Sequence, residues 1–275
     1  NESQLRAVEM AMAHAVSCIN GPPGTGKTFV STCVVRLWVD LRLGPVLVCA
    51  PSNNAANHLA VKLHGLGVKV LRYFVAARAN SAFADEIPYE CKIDAQLPKE
   101  GHDQFKKLLK LRQEVGRLAP AQDVEFRKLR RRPYMQALAA ADVVVCTCSA
   151  AGDTFISSLR FPFLLVDEAG QAAEPEVIVP LVNGVRRVVL VGDPKQLPPS
   201  VQSVQAKNGG LAISAFERLQ TAGAASVMLN VQYRMHPAVS QFPGQHFYEG
   251  LLADDDGDGS AFTRRRSEVA FPWPD

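Results

Sequence analysis

Three short groups of residues could do chemistry on phosphates. Gly21-Pro22-Pro23-Gly24-Thr25-Gly26-Lys27-Thr28 fits G-x-x-x-x-G-K-[ST], the loop whose backbone N–H groups cradle phosphates where a strand turns into a helix. Lys27 supplies a point charge for the outer phosphates of a nucleoside triphosphate, and the Thr28 hydroxyl is a ligand for Mg2+. At the end of the apolar run Phe163-Leu164-Leu165-Val166 stand Asp167 and Glu168. Asp167 suits a Mg2+ ion held through water, and Glu168 suits orienting or deprotonating an attacking water. An acidic pair at a strand end says little alone. Beside a phosphate loop it gains meaning, because both belong at the same edge of a sheet. The third group follows two more strand-like runs. Gln196, in Val191-Gly192-Asp193-Pro194-Lys195-Gln196, is set to sense a terminal phosphate. In Gln232-Tyr233-Arg234-Met235-His236-Pro237, Tyr233 can stack on a base and Arg234 can add positive charge near the phosphates.

Positioning these groups requires several strands that end at one edge. Apolar runs predict strands over 16–20, 46–50, 68–73, 143–147, 164–167, 188–192 and 227–230. Several are continuous rather than alternating, as a sheet covered on both faces requires. Helical stretches separate them, the first behind the phosphate loop from Phe29 to Trp38. The pattern predicts an α/β fold of the P-loop NTPase kind, a parallel sheet flanked by helices. From 78 to 141 no strand is legible. Instead 103–116 and 122–141 read as two helices around the turn Leu118-Ala119-Pro120, a helical hairpin inserted into the α/β core. Lys106, Lys107, Lys110, Arg112 and Arg117, then Arg127, Lys128, Arg130, Arg131 and Arg132, cover its faces. A solvated surface and a nucleic-acid-facing one both fit such a run.

Composition sets the bounds. With 47% hydrophobic and 21% charged residues over 275 positions, the chain reads as an ordinary globular protein able to bury a sizeable core. No apolar run reaches membrane-spanning length, so no membrane partner is expected. A net charge of +3 leaves room for a local basic groove without demanding one. Cysteines stand at 18, 33, 49, 91, 146 and 148. Four of these fall in apolar runs, and Cys146-Thr147-Cys148 has no matching second pair for a metal. Buried, reduced thiols are expected, and with them the cytoplasm or the nucleus. Asp254, Asp256, Asp258 and Gly259 copy the first half of a calcium-binding loop, but Arg265 stands where that loop needs a bidentate glutamate. With Arg264, Arg265 and Arg266 following, a charged loop is the better reading.

The motifs together resemble superfamily-one RNA and DNA helicases, and within them the up-frameshift helicases of nonsense-mediated mRNA decay. The likeness runs through GPPGTGKT, APSNNAA at 50–56, VVVCTCSAAGD at 143–153, LLVDEAGQAAEPE at 164–176, LVGDPKQLPP at 190–199, QYRMHPAVSQFP at 232–243 and FYEG at 247–250. The resemblance implies a RecA-like ATP-binding domain over 1–275, the first of a pair, with the helical insertion at about 78–141. It implies ATP and Mg2+ as cofactors, with Lys27, Asp167, Glu168, Gln196 and Arg234 as the catalytic set. The nucleotide would lie against Gln4, which reads adenine, the loop from Gly21 through Phe29, Tyr233 packed on the adenine, and Arg234. Pro51, Ser52, Asn53 and Thr147 would touch the backbone of single-stranded RNA or DNA, positioning a strand without reading its sequence. Further partners implied are a second RecA-like domain and regulatory proteins of mRNA decay. Two departures stand out: the family usually has Asp where this chain has Asn57, and nothing here matches the second RecA-like domain or the β-barrel expected before the phosphate loop. A fragment of this kind is expected to hydrolyse ATP very slowly. The rival reading is a nucleotide-dependent binding module that switches protein partners without unwinding.

Overall fold

The computed structural model describes residues 1–75 and 82–255. The start of the expected insertion at 78–81, and the charged stretch with Asp256, Asp258, Gly259 and Arg264 to Arg266, lie outside these residues.

Helix α1 (Glu2–Ala13) opens the chain on a capping box, in which Gln4 N–H donates to Asn1 Oδ1 at 2.9 Å and the Asn1 amino group donates to Gln4 Oε1 at 3.2 Å. Then follow β1 (Val16–Asn20), α2 (Lys27–Asp40), β2 (Val46–Ala50), α3 (Asn53–Gly65) and β3 (Val70–Arg72). Beyond β3 come a short helix α4 (Ala82–Asp85) and the longer α5 (Asp103–Val115), α6 (Pro120–Leu129) and α7 (Arg131–Ala139). The chain returns through β4 (Val143–Thr147), α8 (Thr154–Ser157), β5 (Phe163–Val166), α9 (Glu174–Leu181) and β6 (Arg187–Gly192). It finishes with α10 (Val204–Ala206), α11 (Ala215–Thr221), β7 (Ala225–Met228), β8 (Val231–Gln232), α12 (Pro237–Phe247) and β9 (Ala253–Asp254).

Seven strands form one sheet in the order β3-β4-β2-β5-β6-β1-β7, every neighbouring pair parallel. This is the parallel α/β architecture that the continuous apolar runs predict. Each face is sealed by its own core. One holds Val30, Val34, Trp38, Leu59 and Leu63 from α2 and α3. The other holds Leu138, Phe155, Phe161, Val177 and Phe216. Each large side chain so buried contributes roughly 1.5–3 kcal/mol. Packing therefore fixes where the strands end, and the loops at those ends inherit a rigid base. Strand limits fall within two or three residues of the expected ones. All six cysteines are free thiols, five of them buried, and burial pushes the Cys18 thiol up to about 11.

Between β3 and β4 the helical segment carries a small core of its own: Phe105, Leu108, Leu118 and Phe126, with Phe105 and Phe126 stacked at 5.2 Å. Tyr134 joins it to the main body, its ring 5.6 Å from that of Phe155. The stretch expected as one helix over 122–141 is two, α6 and α7, meeting at Arg130. Pro133 is the cause. Proline has no N–H to give the carbonyl four residues earlier, and its ring crowds that carbonyl, so the helix breaks about one turn before it. Arg127, Lys128, Arg131 and Arg132 are exposed, whereas Arg130 lies over the Phe155 ring at 5.3 Å.

Candidate nucleotide pocket and strand cleft

Strand β1 ends between β6 and β7, and its loop is sewn to both. Gly21 N–H donates to the Gly192 carbonyl at 2.8 Å, Leu229 N–H to the Asn20 carbonyl at 2.8 Å, and Tyr233 N–H to the Gly24 carbonyl at 2.9 Å. Gly24 has φ +81°, a left-handed conformation that glycine adopts without strain, and a Cβ there would stand 2.9 Å from Arg234 Cβ. Thr25 is buried and folds the loop inward by donating its hydroxyl to the Pro22 carbonyl at 2.8 Å. Helix α2 begins at Lys27 with Gly26 as its cap and no side chain on its first amides. Those amides and the positive end of the helix dipole face the loop, which is the arrangement that binds phosphate. Lys27 Nζ donates to the Gly21 carbonyl at 2.8 Å, so its ammonium is held against the loop.

A cavity of about 470 Å³ opens here. Pro22, Pro23, Gly24, Gly26, Lys27, Thr28 and Phe29 form its floor, and Glu168, Gln196, Tyr233 and Arg234 its walls. Eleven of the residues expected at a nucleotide site thus line one space. Four others stand behind it. Gly21 and Thr25 shape the loop, and Asp167 is buried beneath Glu168. Gln4 lies outside the loop, donating Nε2 to the Thr25 carbonyl at 3.1 Å. It neighbours Tyr233 through Asn1, whose amide donates to the Tyr233 hydroxyl at 2.7 Å.

The carboxylates sit where β5 ends. Asp167 N–H donates to the Cys49 carbonyl at 2.9 Å, and Asp167 Oδ1 accepts from Glu168 N–H at 3.1 Å. Burial, and then the Glu168 charge, push the Asp167 carboxyl up to about 7, while Lys27 and Lys62 pull it back. Glu168 takes φ +53°, left-handed backbone that costs a non-glycine residue of order 1–3 kcal/mol. Its Oε2 accepts from Gln171 Nε2 at 3.2 Å. Two acidic groups crowd this buried strand end, and Glu168 shares the pocket lining with Thr28; carboxylate and hydroxyl oxygens are the hard donors that suit Mg2+.

Several contributors escaped the sequence reading. His58 and Lys62, one turn apart on α3, form the pocket's far wall. On sequence their spacing is that of any solvated helix face. Gln232, fully buried, holds the loop that carries Tyr233 and Arg234: its Oε1 accepts from Arg234 N–H at 2.9 Å and Met235 N–H at 2.7 Å. Its amide donates to the Met235 carbonyl at 2.8 Å and to Asp254 Oδ1 at 2.5 Å.

A second cleft, about 510 Å³, opens where β2 and β4 end. Ala50 pairs with Thr147 in the sheet register, so Pro51, Ser52 and Asn53 emerge beside Thr147, and all four line this cleft. Ser52 caps α3, its hydroxyl accepting from Ala55 N–H at 3.2 Å, and Thr147 Oγ1 accepts from Ala150 N–H at 3.3 Å. Tyr73, Phe74 and Phe83 give it aromatic walls. Strand β5, with Asp167 and Glu168 at its end, lies between β2 on the cleft side and β6 on the pocket side.

Comparison with known proteins places the chain in a family. The AAA domain family model matches residues 1–96 and 75–204, and a second AAA domain model matches 211–273. The chain is 43% identical over 274 residues to the regulator of nonsense transcripts 1 homolog of Drosophila melanogaster, covering all of this chain and 23% of that protein. It is 40% identical over 275 residues to the ATP-dependent helicase NAM7 of Saccharomyces cerevisiae, covering all of this chain and 28% of that protein. It is also 40% identical over 279 residues to the ATP-dependent helicase upf1 of Schizosaccharomyces pombe, covering 99% of this chain and 30% of that protein. The chain therefore spans about a quarter of the length of the curated relatives it matches. By the extent of these matches the chain belongs to the AAA domain family, and the up-frameshift helicases are the relatives it resembles.

Proposed function

We propose that this chain is the ATP-binding motor half of an ATP-dependent RNA helicase that acts in mRNA quality control. The observation that carries the reading is the juxtaposition at one sheet edge: a phosphate-binding pocket and a polar, aromatic cleft on either side of the strand that ends in Asp167 and Glu168. In this reading Lys27 and the loop amides hold the outer phosphates of ATP, and Gln196 and Arg234 meet the terminal one. Tyr233 and Gln4 form the adenine end. Thr28 and Asp167 would hold Mg2+, which supplies charge neutralisation on the phosphates when bound. Glu168, on its strained backbone, aligns the attacking water.

Pro51, Ser52, Asn53 and Thr147 hold the backbone of single-stranded RNA, or DNA, through hydroxyls, amides and loop N–H groups. Strand and nucleotide share β5 as a common support, so closure around one site shifts the frame of the other. A second RecA-like domain of the same enzyme completes the ATP cleft and allows hydrolysis to drive movement along the strand. Proteins that regulate mRNA decay are the further partners, and the cytoplasm or nucleus is the compartment.

The test is nucleotide-dependent retention on oligo(U). The chain should bind a labelled oligo(U) weakly, with little sequence preference and with affinity falling as salt rises, and bound nucleotide should alter that affinity. Binding that ignores nucleotide would remove the motor reading, and the absence of strand binding would leave only a protein-binding switch.

A further inference from the structure

Arg72 closes β3 at the edge of the sheet, yet its side chain turns inward and is only 1% exposed. Burial lowers its basicity to about 10. A guanidinium offers five N–H donors and no acceptor. Here Nε donates to Asn57 Oδ1 at 2.9 Å, Nη2 to Asn53 Oδ1 at 2.9 Å and Nη1 to the Tyr73 carbonyl at 2.5 Å. The group also lies 4.0 Å over the Phe74 ring.

A donor-only partner fixes the orientation of both amides. Each asparagine must turn its oxygen toward Arg72 and its NH2 away. The NH2 of Asn57 then meets two acceptors, the Phe83 carbonyl at 2.7 Å and Glu86 Oε2 at 3.0 Å. This position needs an acceptor at one end and a donor at the other, which asparagine supplies and aspartate does not. The departure at Asn57 thereby has a physical reason. Asn53 sits differently. Its oxygen is taken by Arg72 in the same way, and among the described residues nothing accepts from its NH2, which is left to the cleft.

We infer that Arg72 is a positioning residue for strand binding: it holds Asn53 as a fixed hydrogen-bond donor to the phosphates of single-stranded nucleic acid, and ties that donor through Asn57 to the segment at Phe83 and Glu86. Phosphate oxygens only accept hydrogen bonds, so an amide locked with its NH2 outward is already set to meet them, whereas an amide free to turn must first be ordered. The inference deepens the proposed function and rests on the cleft being the strand site.

The experiment measures binding of fluorescein-labelled oligo(U) by anisotropy, with Mg–ADP affinity followed by calorimetry on the same proteins. Asn53→Ala should weaken oligo(U) binding about tenfold, the worth of one charge-assisted hydrogen bond, and leave ADP affinity unchanged. Arg72→Met should cost a similar factor alone, and nothing further in the Asn53→Ala background. Arg72→Lys, which keeps the charge but loses the fork, should not restore binding. A second measurement needs no Arg72 variant: the side-chain NH2 signals of Asn53, assigned by their loss in Asn53→Ala, should shift when oligo(U) is added to the wild-type chain. Independent, multiplying losses in the double variant, or NH2 signals that stay in place, overturn the inference. Thr147→Val separates the two levels. If it weakens oligo(U) binding while Asn53→Ala does not, the role of Arg72 falls and the cleft stands; if neither has an effect, both fall.

Discussion

The Tyr248 hydroxyl donates to Asp193 Oδ2 at 2.7 Å, joining residues 55 positions apart. The same oxygen accepts from Gln196 Nε2 at 2.7 Å, and Oδ1 accepts from Lys195 N–H at 2.9 Å. Asp193 is thus a buried hub, and Gln196 enters the nucleotide pocket on a side chain that Tyr248 helps to hold. Burial, and then the bond to Asp193, push the Tyr248 phenol well above its ordinary range, so it remains a donor at any physiological pH. Tyr248→Phe should destabilise the fold by about 1–2 kcal/mol, read as a lower unfolding midpoint. If Gln196 meets the terminal phosphate, this variant should lose affinity for ATP more than for ADP. Equal losses for both nucleotides would detach Gln196 from that role.

Lys27 and Glu168 should separate binding from chemistry. Lys27→Ala removes the cation held against the phosphate loop and should abolish Mg–ATP binding in calorimetry. Glu168→Gln leaves the loop intact and should keep nucleotide affinity within a few-fold, while lowering any ATP hydrolysis the protein shows. Loss of binding in the carboxamide variant would make Glu168 a structural residue.

Gly192 tests how tightly the pocket's two acidic turns are stacked. A Cβ on Gly192 would stand 2.7 Å from the Gly170 nitrogen, and one on Gly170 would stand 2.8 Å from the Asp193 carbonyl oxygen. These are backbone contacts that no rotamer change relieves. Gly192→Ala should therefore cost about 1–3 kcal/mol in denaturant unfolding and weaken nucleotide binding through the displaced turn. An unchanged unfolding midpoint would show that the two turns move apart freely.

Asn57→Ala should be costly for a small change. It strips an acceptor from Arg72 Nε and a donor from the Phe83 carbonyl and Glu86, all at a residue 4% exposed. Leaving buried polar partners unmet costs about 1–3 kcal/mol, and thermal unfolding should register it. A neutral result would mean that water replaces the amide on both sides.

Much of this architecture was legible before any coordinates. Short, β-branched continuous runs such as Val46-Leu47-Val48-Cys49-Ala50 favour strands buried on both faces, and the phosphate loop announces its strand and helix together. The break at Arg130 was missed, because the helix was read straight through Pro133, which disfavours an unbroken helix there. What escaped was geometry across elements. His58 and Lys62 look like a solvated helix face until α3 is packed beside α2. Arg72 looks like an ordinary charge at a strand end, and only its burial against two asparagines gives it meaning. Tyr248 belongs to a motif whose letters do not say that its hydroxyl ends on Asp193.

The main-chain bonds that stitch the β1 loop to its neighbours carry one last consequence. Gly21 to Gly192, Leu229 to Asn20 and Tyr233 to Gly24 form a chain of links across three strand ends. No single loop of the pocket rim can lift away without breaking a link that another loop shares. The rim should therefore open as one cooperative unit, and the amide hydrogens of Gly21, Leu229 and Tyr233 should exchange with deuterium at a common rate. Ligand binding at any point of the chain would then slow exchange along all of it.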